Sequence, residues 1–201
     1  MSLSYKFIND SDLKFSLLKI YNGEQLRPLF AYENFHLKGH SVISWVGPCN
    51  VDIEHMVDFE DKIENAKIAS DEMLHFIFEL FKPDLTMGVC FQRLISSIVF
   101  EYLIQNYQNL NISNFYRLGD DLYLIENGIH KKLSISICSI SSVSVQIHFA
   151  LNIKNSGAPV PILSLKDLKI ESIPIFAIEL MKLFSAEWES ILTATMKVKP
   201  L

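Results

Sequence analysis

Apolar and polar positions alternate through residues 119–152, and this alternation predicts three consecutive antiparallel strands. Between the first two strands stands Asn127-Gly128, a pair that tolerates the positive φ angles of a type I′ turn. A two-residue hairpin loop at this point sets Tyr123 opposite Lys132. The hairpin is therefore expected to bring polar side chains of two strands together on one face.

The two strands after this turn carry apolar residues at every second position. Those positions are Leu133, Ile135, Ile137, Val145, Ile147, Phe149 and Leu151. A connection around Ser141 with an odd number of residues places both apolar sets on one face, since a slip of one residue turns every side chain over. We predict a three-residue loop, which sets Ser134 opposite His148. The residues then expected on the polar face are Asp121, Tyr123, Lys132, Ser134, His148 and Asn152.

Two earlier segments also predict strands. Residues 41–46 are typical of a short buried strand that ends at Gly47-Pro48, a pair common in turns. Residues 68–81 are compatible with a helix by length and apolar density, and with a strand by alternation. We favour the strand. Its core side would be formed by Leu74, Phe76, Phe78 and Leu80.

Apolar stripes at helical spacing predict helices over residues 88–107 and 174–193, the second with Pro174 in its first turn. The chain shows no internal repeat and no linker. We therefore predict an α+β fold over residues 1–201 as a single domain, with helices packed on one face of a mostly antiparallel sheet.

Composition narrows the range of functions. The 201 residues are 49% hydrophobic and 20% charged with a net charge of −5, which predicts a folded protein and no general nucleic-acid binding. The 3 cysteines lie far apart, which favours reduced thiols in a cytoplasmic protein. No apolar run is long enough for a membrane span, and the phosphate-binding motifs GxGxxG and GxxxxGK[ST] are absent. Exposed strand edges make a homodimer an open possibility.

Lys132 is the leading catalytic candidate, with Asp121 as its partner. A lysine among small polar residues inside a strand can neutralise a phosphate or polarise a carbonyl. The ordinary alternative is a solvated lysine that forms an ion pair with Asp121, and the spacing alone favours that alternative. Asp120 could orient Lys132, although paired aspartates before a strand are also common in turns.

Histidine, serine and cysteine offer weaker candidates. A triad of Ser134, His148 and Asp121 is geometrically conceivable, but no GxSxG motif supports it. His148 and His75 stand within strands, where a half-buried histidine with satisfied hydrogen bonds is commoner than a catalytic base. Cys138 is more often a small core residue than a nucleophile.

Residues 49–61 hold five acidic side chains with His55 and are typical of a solvated loop or short helix. A metal-dependent hydrolase using His55, His75 or His148 with the acidic residues is a further hypothesis, but no metal is predicted.

The sequence resembles an uncharacterised family known as domain of unknown function 366 over nearly its whole length. The segments that carry this resemblance include YNGEQLRPLF, GHSVISWVGPCNV, SDEMLHFIFELF, KKLSISICSISSVSVQIHFALNI and APVP.

The central stretch is also similar to the biotin and lipoate protein ligases and octanoyltransferases, which share a fold with class II aminoacyl-tRNA synthetases. GDDLY, KKLSIS and HFALN follow the order of three motifs in that group. The resemblance places Asp121, Lys132 and Asn152 on the group's aspartate, catalytic lysine and strand-end asparagine. It implies a class II synthetase-like fold and a cleft that binds ATP, AMP or an acyl carboxylate. SVISWVGPCN is similar to the strand and glycine of lipoate ligases, which adds Gly47.

The glycine-rich segments GRGRxGR and RRxxGGG of these enzymes do not occur in the chain. Two functions are therefore expected: an acyl ligase or transferase with a lysine-centred pocket for a small molecule, or a non-catalytic ligand-binding or regulatory module that lost the phosphate loop. The expected ligand-binding residues are Asp120, Tyr123, Ser134, Ser136, His148, Asn152, His75 and Gly47.

Overall fold

The computed structural model describes residues 2–12, 14–107 and 113–199. These residues form eight strands and four α-helices. The strands are β1 (Ser4–Phe7), β2 (Ser41–Val51), β3 (Ile68–Leu80), β4 (Phe115–Leu118), β5 (Asp121–Glu126), β6 (Ile129–Lys132), β7 (Ser134–Ile140) and β8 (Val145–Asn152). The helices are α1 (Phe30–Phe35), α2 (Phe59–Glu64), α3 (Leu85–Asn106) and α4 (Ile173–Met196).

The strands form a five-stranded sheet in the order β1-β2-β3-β8-β7 and a three-stranded sheet in the order β4-β5-β6. Strands β1 and β2 are parallel, and every other described pair is antiparallel. The predicted α+β fold with a mostly antiparallel sheet is confirmed.

The strand preferred for residues 68–81 is confirmed by β3, which lies at the centre of the larger sheet. Its last eight residues, from Met73 to Leu80, are all buried, which explains why both faces are apolar. The side chains predicted for its core side, namely Leu74, Phe76, Phe78 and Leu80, all belong to the core beneath the two long helices.

Both predicted helices are present and pack on this face. The side chain of Asp84 accepts a hydrogen bond from the Met87 amide at 2.9 Å and caps α3. Phe184 of α4 contacts Phe76 and Phe78, with ring centroids 5.7 and 5.3 Å apart. Among the described helices, α3 alone is long and apolar enough to cross a membrane by length and composition. Its buried face packs against the sheet, as that of a core helix does.

Gly88 marks the closest approach of α3 to the sheet. A Cβ atom at this position would lie 2.6 Å from Cγ1 of Val145 and 2.8 Å from Sγ of Cys138. Alanine favours a helix by about 1 kcal/mol over glycine, but overpacking a core costs about 1–3 kcal/mol. We therefore expect Gly88→Ala to lower the free energy of unfolding, measured with urea. The loss of stability caused by Gly88→Ala should be smaller in a Val145→Ala protein, where the contacting side chain is shorter. An equal loss in the two proteins would show that the contact with Val145 is not its cause.

The prediction that residues 119–152 form one three-stranded sheet is wrong. Strands β5 and β6 belong to the small sheet and β7 and β8 to the large one, with buried Leu133 between them. The hairpin itself is confirmed, because Asn127 and Gly128 have φ angles of 52° and 77° and Tyr123 pairs with Lys132.

The predicted three-residue loop is also wrong. Ile140 pairs with Val145, so the connection has the even length that the prediction excluded. Ser141 stabilises this longer turn, since its hydroxyl accepts from the Ser144 amide at 3.1 Å and donates to the Ser144 carbonyl at 3.0 Å. The parity of the loop decides which residues of β7 face the helices.

As a result, Ser134 lies opposite Leu151, while His148 lies opposite Ile137. The predicted pairing of Ser134 with His148 is therefore wrong. Ser134 and Ser136 of β7 face the helices, and Ile135 and Ile137 face the other side of the sheet, on the side of His148.

Strand β2 also differs from its prediction, because it does not end at Gly47-Pro48. It continues to Val51 through an irregularity between Gly47 and Cys49. The Pro48 carbonyl accepts a hydrogen bond from the Tyr21 amide at 2.9 Å. The segment around Tyr21, together with α1, covers part of the sheet face opposite α3 and α4 and forms a second apolar cluster with it.

Candidate functional site

A cleft of about 840 Å³ opens on the face of the larger sheet opposite α3 and α4. Residues of β3, β7 and β8 form its floor, and the walls come from residues 55–61, 120–123 and 158–162. The apolar side chains of the lining include Leu26, Val51, Met56, Val57, Ile68, Met73, Ile135, Ile137, Val160 and Ile162. The cleft is therefore largely apolar, with charged groups from residues 58–67 on one side and from residues 120–132 on the other.

Lys132 and Asp121 both line this cleft and form an ion pair, with Nζ 2.7 Å from Oδ2. The hydroxyl of Tyr123 donates to the same carboxylate at 3.2 Å, and Lys132 Nζ lies 5.9 Å from the centroid of the Tyr123 ring. The register of the β5–β6 hairpin accounts for this grouping, since Tyr123 and Lys132 are direct cross-strand neighbours.

Burial and the ion pair act in opposite directions on these groups. Burial alone would lower the pKa of Lys132, but the charge of Asp121 and the hydrogen bond to it outweigh that effect and raise this pKa. Burial raises the pKa of the Asp121 carboxyl, which the nearby ammonium opposes. The side chains are 27% and 21% exposed, so a ligand can reach the ammonium without unfolding the site.

The main chain of Lys132 is held on both sides. Its amide donates to the Pro161 carbonyl at 2.9 Å, and its carbonyl accepts from the Leu163 amide at 3.0 Å. Asn152 adds a contact from its side-chain Nδ2 to the same carbonyl at 3.2 Å, while its Oδ1 accepts from the Ser70 hydroxyl at 3.0 Å. Asn152 lines the cleft and also fixes the strand that presents Lys132.

Asp120 and Ser136 are brought together by Gln92, a residue of α3 that sequence reasoning missed. Nε2 of Gln92 donates to Oδ2 of Asp120 at 2.8 Å and to Oγ of Ser136 at 3.0 Å. The Ser136 hydroxyl in turn donates to the His148 carbonyl at 3.0 Å. Both predicted residues line the cleft, but their polar groups already have protein partners.

Three of the predicted ligand-binding residues do not line the cleft. Ser134 is completely buried on the helix side of the sheet, where its hydroxyl accepts from the Leu122 amide at 2.9 Å. His75 and Gly47 lie next to each other below the floor, with Nε2 of His75 3.0 Å from the Gly47 carbonyl oxygen. Ser134 was misplaced because the prediction assumed the wrong loop parity.

His148 belongs to a buried aromatic stack. Its Nε2 lies 3.0 Å from Nδ1 of His75, and the ring of Tyr21 stacks on it with centroids 3.7 Å apart. Burial lowers the pKa of His75 to about 4, and burial together with His75 lowers the pKa of His148 well below the usual value. Both imidazoles are therefore neutral at pH 7.

Sequence reasoning also missed Asp58 and Asp61, which it assigned to a solvated acidic stretch. Both line the cleft, and burial with the charge of Asp58 raises the pKa of Asp61 against the opposing effect of Lys132. The lining thus holds four aspartates but only two lysines, Lys67 and Lys132. Within residues 2–12, 14–107 and 113–199, no group of three or more histidine, cysteine, aspartate or glutamate side chains could hold a metal ion.

Sequence comparison connects the chain to proteins without an assigned activity. The model of the family described as domain of unknown function (DUF366) matches residues 15–199. An uncharacterised protein of Methanocaldococcus jannaschii is 33% identical over 187 residues, which cover 90% of this chain and 80% of that protein. A solved protein of unknown function from Pyrococcus horikoshi has 34% identity and a TM-score of 0.86, with 100% of both chains covered.

Solved ligases share the fold at low identity. A biotin protein ligase from Aquifex aeolicus has a TM-score of 0.56 and 12% identity, over 94% of this chain and 70% of that one. A T. acidophilum protein with bound lipoic acid has a TM-score of 0.57 and 13% identity, over 94% of this chain and 87% of that one. The predicted biotin/lipoate ligase-like fold is confirmed by these two similarities.

Proposed function

We propose that this chain, which belongs to the family described as domain of unknown function (DUF366), binds a small carboxylic acid with an apolar body in its cleft. The carboxylate contacts the ammonium of Lys132, and the body of the ligand lies along the apolar lining. The proposed reaction class is that of an acyl ligase or transferase, in which Lys132 is the catalytic cation and Asp121 positions it.

The observation that carries this proposal is the position of the half-buried Lys132 ammonium at the edge of an apolar cleft. Lys132 already holds a carboxylate, that of Asp121, at 2.7 Å. A ligand carboxylate can take the same place or share the ammonium, because the three N–H groups of a lysine can donate to several acceptors. Ile135 and Ile137 line the floor from the neighbouring strand, where they suit a hydrocarbon chain.

The charge of the lining favours one carboxylate over a polyphosphate. With Asp58, Asp61, Asp120 and Asp121 around it, the cleft would repel a triphosphate unless cations accompanied it. A single carboxylate requires only one cation. Solved proteins of the same fold contain biotin with ATP or lipoic acid, and both acids join a carboxylate to an apolar chain.

In an acyl-transfer reaction, the charge to be stabilised would develop on the oxygens of the activated carboxylate. A lysine ammonium fixed within hydrogen-bond distance of these oxygens stabilises that charge strongly where the surroundings exclude water. The hydrogen bonds of the Lys132 main chain with the 161–163 segment and Asn152 keep the side chain in place for this role.

A second candidate is a non-catalytic ligand-binding module on the same fold. It is favoured by β3, because residues 68–75 stand in the approximate place of the glycine-rich segment of the ligases but contain no glycine and belong to a strand. Ile68, Ala69 and Ser70 pair with β2, and the Asp71 amide donates to the Ser156 carbonyl at 3.1 Å. No cradle of free amides for a phosphate is formed by these residues, so binding without ATP-driven activation is consistent with this segment.

A thermal-shift panel of octanoate, lipoate and biotin tests the proposed binding, with the methyl ester of each acid as its matched control. A ligand at a hundredfold excess over its Kd stabilises the native state by about 2.7 kcal/mol, which raises Tm by about 5–10 °C for a chain of this size. We expect the acids to shift Tm and the esters to have little effect, since an ester lacks the charge that Lys132 recognises. No shift with any acid, or equal shifts with the esters, would contradict the proposal.

The same panel with ATP separates the two candidates. Release of pyrophosphate that depends on the bound acid supports a ligase, and release that is abolished in Lys132→Met assigns it to this cleft. Acid binding with neither turnover of ATP nor acyl transfer from a thioester donor supports the non-catalytic module.

A further inference from the structure

The buried histidine pair has one defined arrangement of protons. Nε2 of His75 lies 3.0 Å from the carbonyl oxygen of Gly47, and a carbonyl can only accept, so this nitrogen carries a hydrogen. The other nitrogen of His75, Nδ1, lies 3.0 Å from Nε2 of His148. The direction of this second hydrogen bond depends on whether His75 is neutral.

The surroundings keep both rings neutral. His75 and His148 are 0% and 2% exposed, and no carboxylate of the described residues pairs with either. A buried unpaired imidazolium would be strongly unfavourable. In neutral His75, Nδ1 is an acceptor, so Nε2 of His148 must be the donor. The remaining nitrogen, Nδ1 of His148, is then an acceptor with a free lone pair.

Nδ1 of His148, the free acceptor, faces the cleft. His148 lines the cleft, and its Nδ1 forms no hydrogen bond with the described residues. Among the described residues, the polar side-chain atoms that are both inaccessible to solvent and without a partner belong to Ser41, Ser44, Trp45 and Trp188. Nδ1 of His148 is not one of these atoms, although it has no partner, so it is accessible from the cleft. Tyr21, which stacks on the ring, also lines the cleft, and its hydroxyl likewise has no hydrogen-bond partner among the described residues.

We propose that the cleft selects a carboxylic acid whose apolar body carries a hydrogen-bond donor, and that Nδ1 of His148 accepts from this donor. The proposal rests on the proposed function, because it assigns the second recognition point of the same ligand. His148 is the specificity-determining residue, and His75 is a positioning residue that fixes its tautomer.

The two recognition points come from different strands. Lys132 ends β6, and its main chain contacts Asn152 at the end of β8. His148 lies four residues before Asn152, which corresponds to about 13 Å along the strand. Because the lysine side chain is long and flexible, probes of several chain lengths are needed to span its ammonium and Nδ1 of His148.

Calorimetric titration of wild-type protein with matched acids tests this proposal. The probes are hexanoate, octanoate and decanoate, each beside its ω-hydroxy derivative. A neutral hydrogen bond corresponds to about a 3- to 10-fold change in Kd. We expect the hydroxy acid of at least one chain length to bind more tightly than its parent by this factor.

Two substitutions at position 148 separate recognition from packing. His148→Phe keeps a stacking ring but has no acceptor, so the preference for the hydroxy acid should disappear. His148→Gln retains an N–H donor for His75 and an oxygen acceptor for the ligand, so it should restore part of the preference. A preference that persists in His148→Phe would overturn the proposal.

The outcomes for the two proposals are distinct. If the parent acids bind but no hydroxy acid binds more tightly than its parent, the assignment of His148 fails and the proposed function stands. If no acid binds at all, both fail. Nitrogen-15 NMR of the wild-type imidazoles gives an independent reading that needs no variant, because a hydrogen on Nδ1 of neutral His148 would overturn the assignment.

Discussion

Lys132→Met is expected to weaken binding of octanoate or lipoate by about 10- to 100-fold. Methionine preserves most of the apolar stem of the side chain but removes the ammonium that we propose as the contact of the ligand carboxylate. A hydrogen bond to a charged group contributes about 1.5–3 kcal/mol, and each 1.4 kcal/mol corresponds to about a tenfold change in Kd. Calorimetric titration of wild-type and variant protein measures this ratio.

Lys131→Met is the matched control for this substitution. Lys131 precedes Lys132 on the same strand, does not line the cleft, and forms an ion pair with Glu126. Because neighbouring residues of a strand point to opposite faces, its loss should leave the Kd unchanged. Equal losses of affinity in the two variants, or wild-type affinity in Lys132→Met, would contradict the role proposed for Lys132.

A third variant separates charge from shape. Lys132→Arg retains a positive charge, but its planar guanidinium cannot occupy the position of a compact ammonium beside Asp121 without rearrangement. We expect intermediate affinity. Affinity equal to that of Lys132→Met would indicate that the position of the cation matters more than its charge.

The fold was predictable wherever burial imposed a strict period on the side chains. Strand β8 has the same two faces in the sequence and in the structure, because Ile147 and Phe149 must face the helices. Strand β3 was recognised by the same alternation, although all of its central residues are buried. The Asn127-Gly128 turn was predictable for a local reason, since its backbone conformation suits these two residues.

The faces of β7 were not predictable, because both choices looked reasonable in the sequence. Apolar Ile135 and Ile137 were expected in the helix-side core, but in the structure they form the floor of the cleft. Ser134 of β7 can occupy the core because its hydroxyl accepts a hydrogen bond from the Leu122 amide. Such partners come from distant parts of the chain and leave no periodic signal.

The candidate site likewise contains residues that were predictable from the sequence and residues that were not. Asp121, Tyr123 and Lys132 belong to one hairpin, so their grouping followed from local register. Gln92 reaches the site from a helix, and Asp61 from a short segment that looked like an ordinary acidic loop. Their positions depend on how distant elements pack, which pattern alone does not encode.

Glu79→Leu is expected to lower the free energy of unfolding by about 3 kcal/mol, the largest stability effect we predict. The Glu79 carboxylate is 3% exposed and pairs with no basic residue in the described parts of the chain. It accepts from the Leu29 amide at 2.8 and 3.0 Å and from the Ser144 hydroxyl at 2.7 Å. One side chain of β3 thus connects the start of α1 to the β7–β8 turn.

Leucine has a similar size, so the expected loss comes from the two donors that it would leave without an acceptor. Leu29 also has a left-handed backbone, with φ of 64°, and the bond from its amide to Glu79 helps to hold that strained conformation. Glu79→Gln retains one acceptor oxygen and should lose less stability than Glu79→Leu. Urea unfolding of wild-type protein, Glu79→Gln and Glu79→Leu measures the order of their free energies of unfolding.

Glu189→Leu serves as the surface control, since Glu189 is an exposed residue of α4. Substitutions at such positions usually change stability by less than about 0.5 kcal/mol. A loss of less than about 1 kcal/mol in Glu79→Leu would mean that water or a rearranged turn replaces the carboxylate. A large loss together with unchanged octanoate binding in the folded fraction would show that Glu79 stabilises the fold without shaping the cleft.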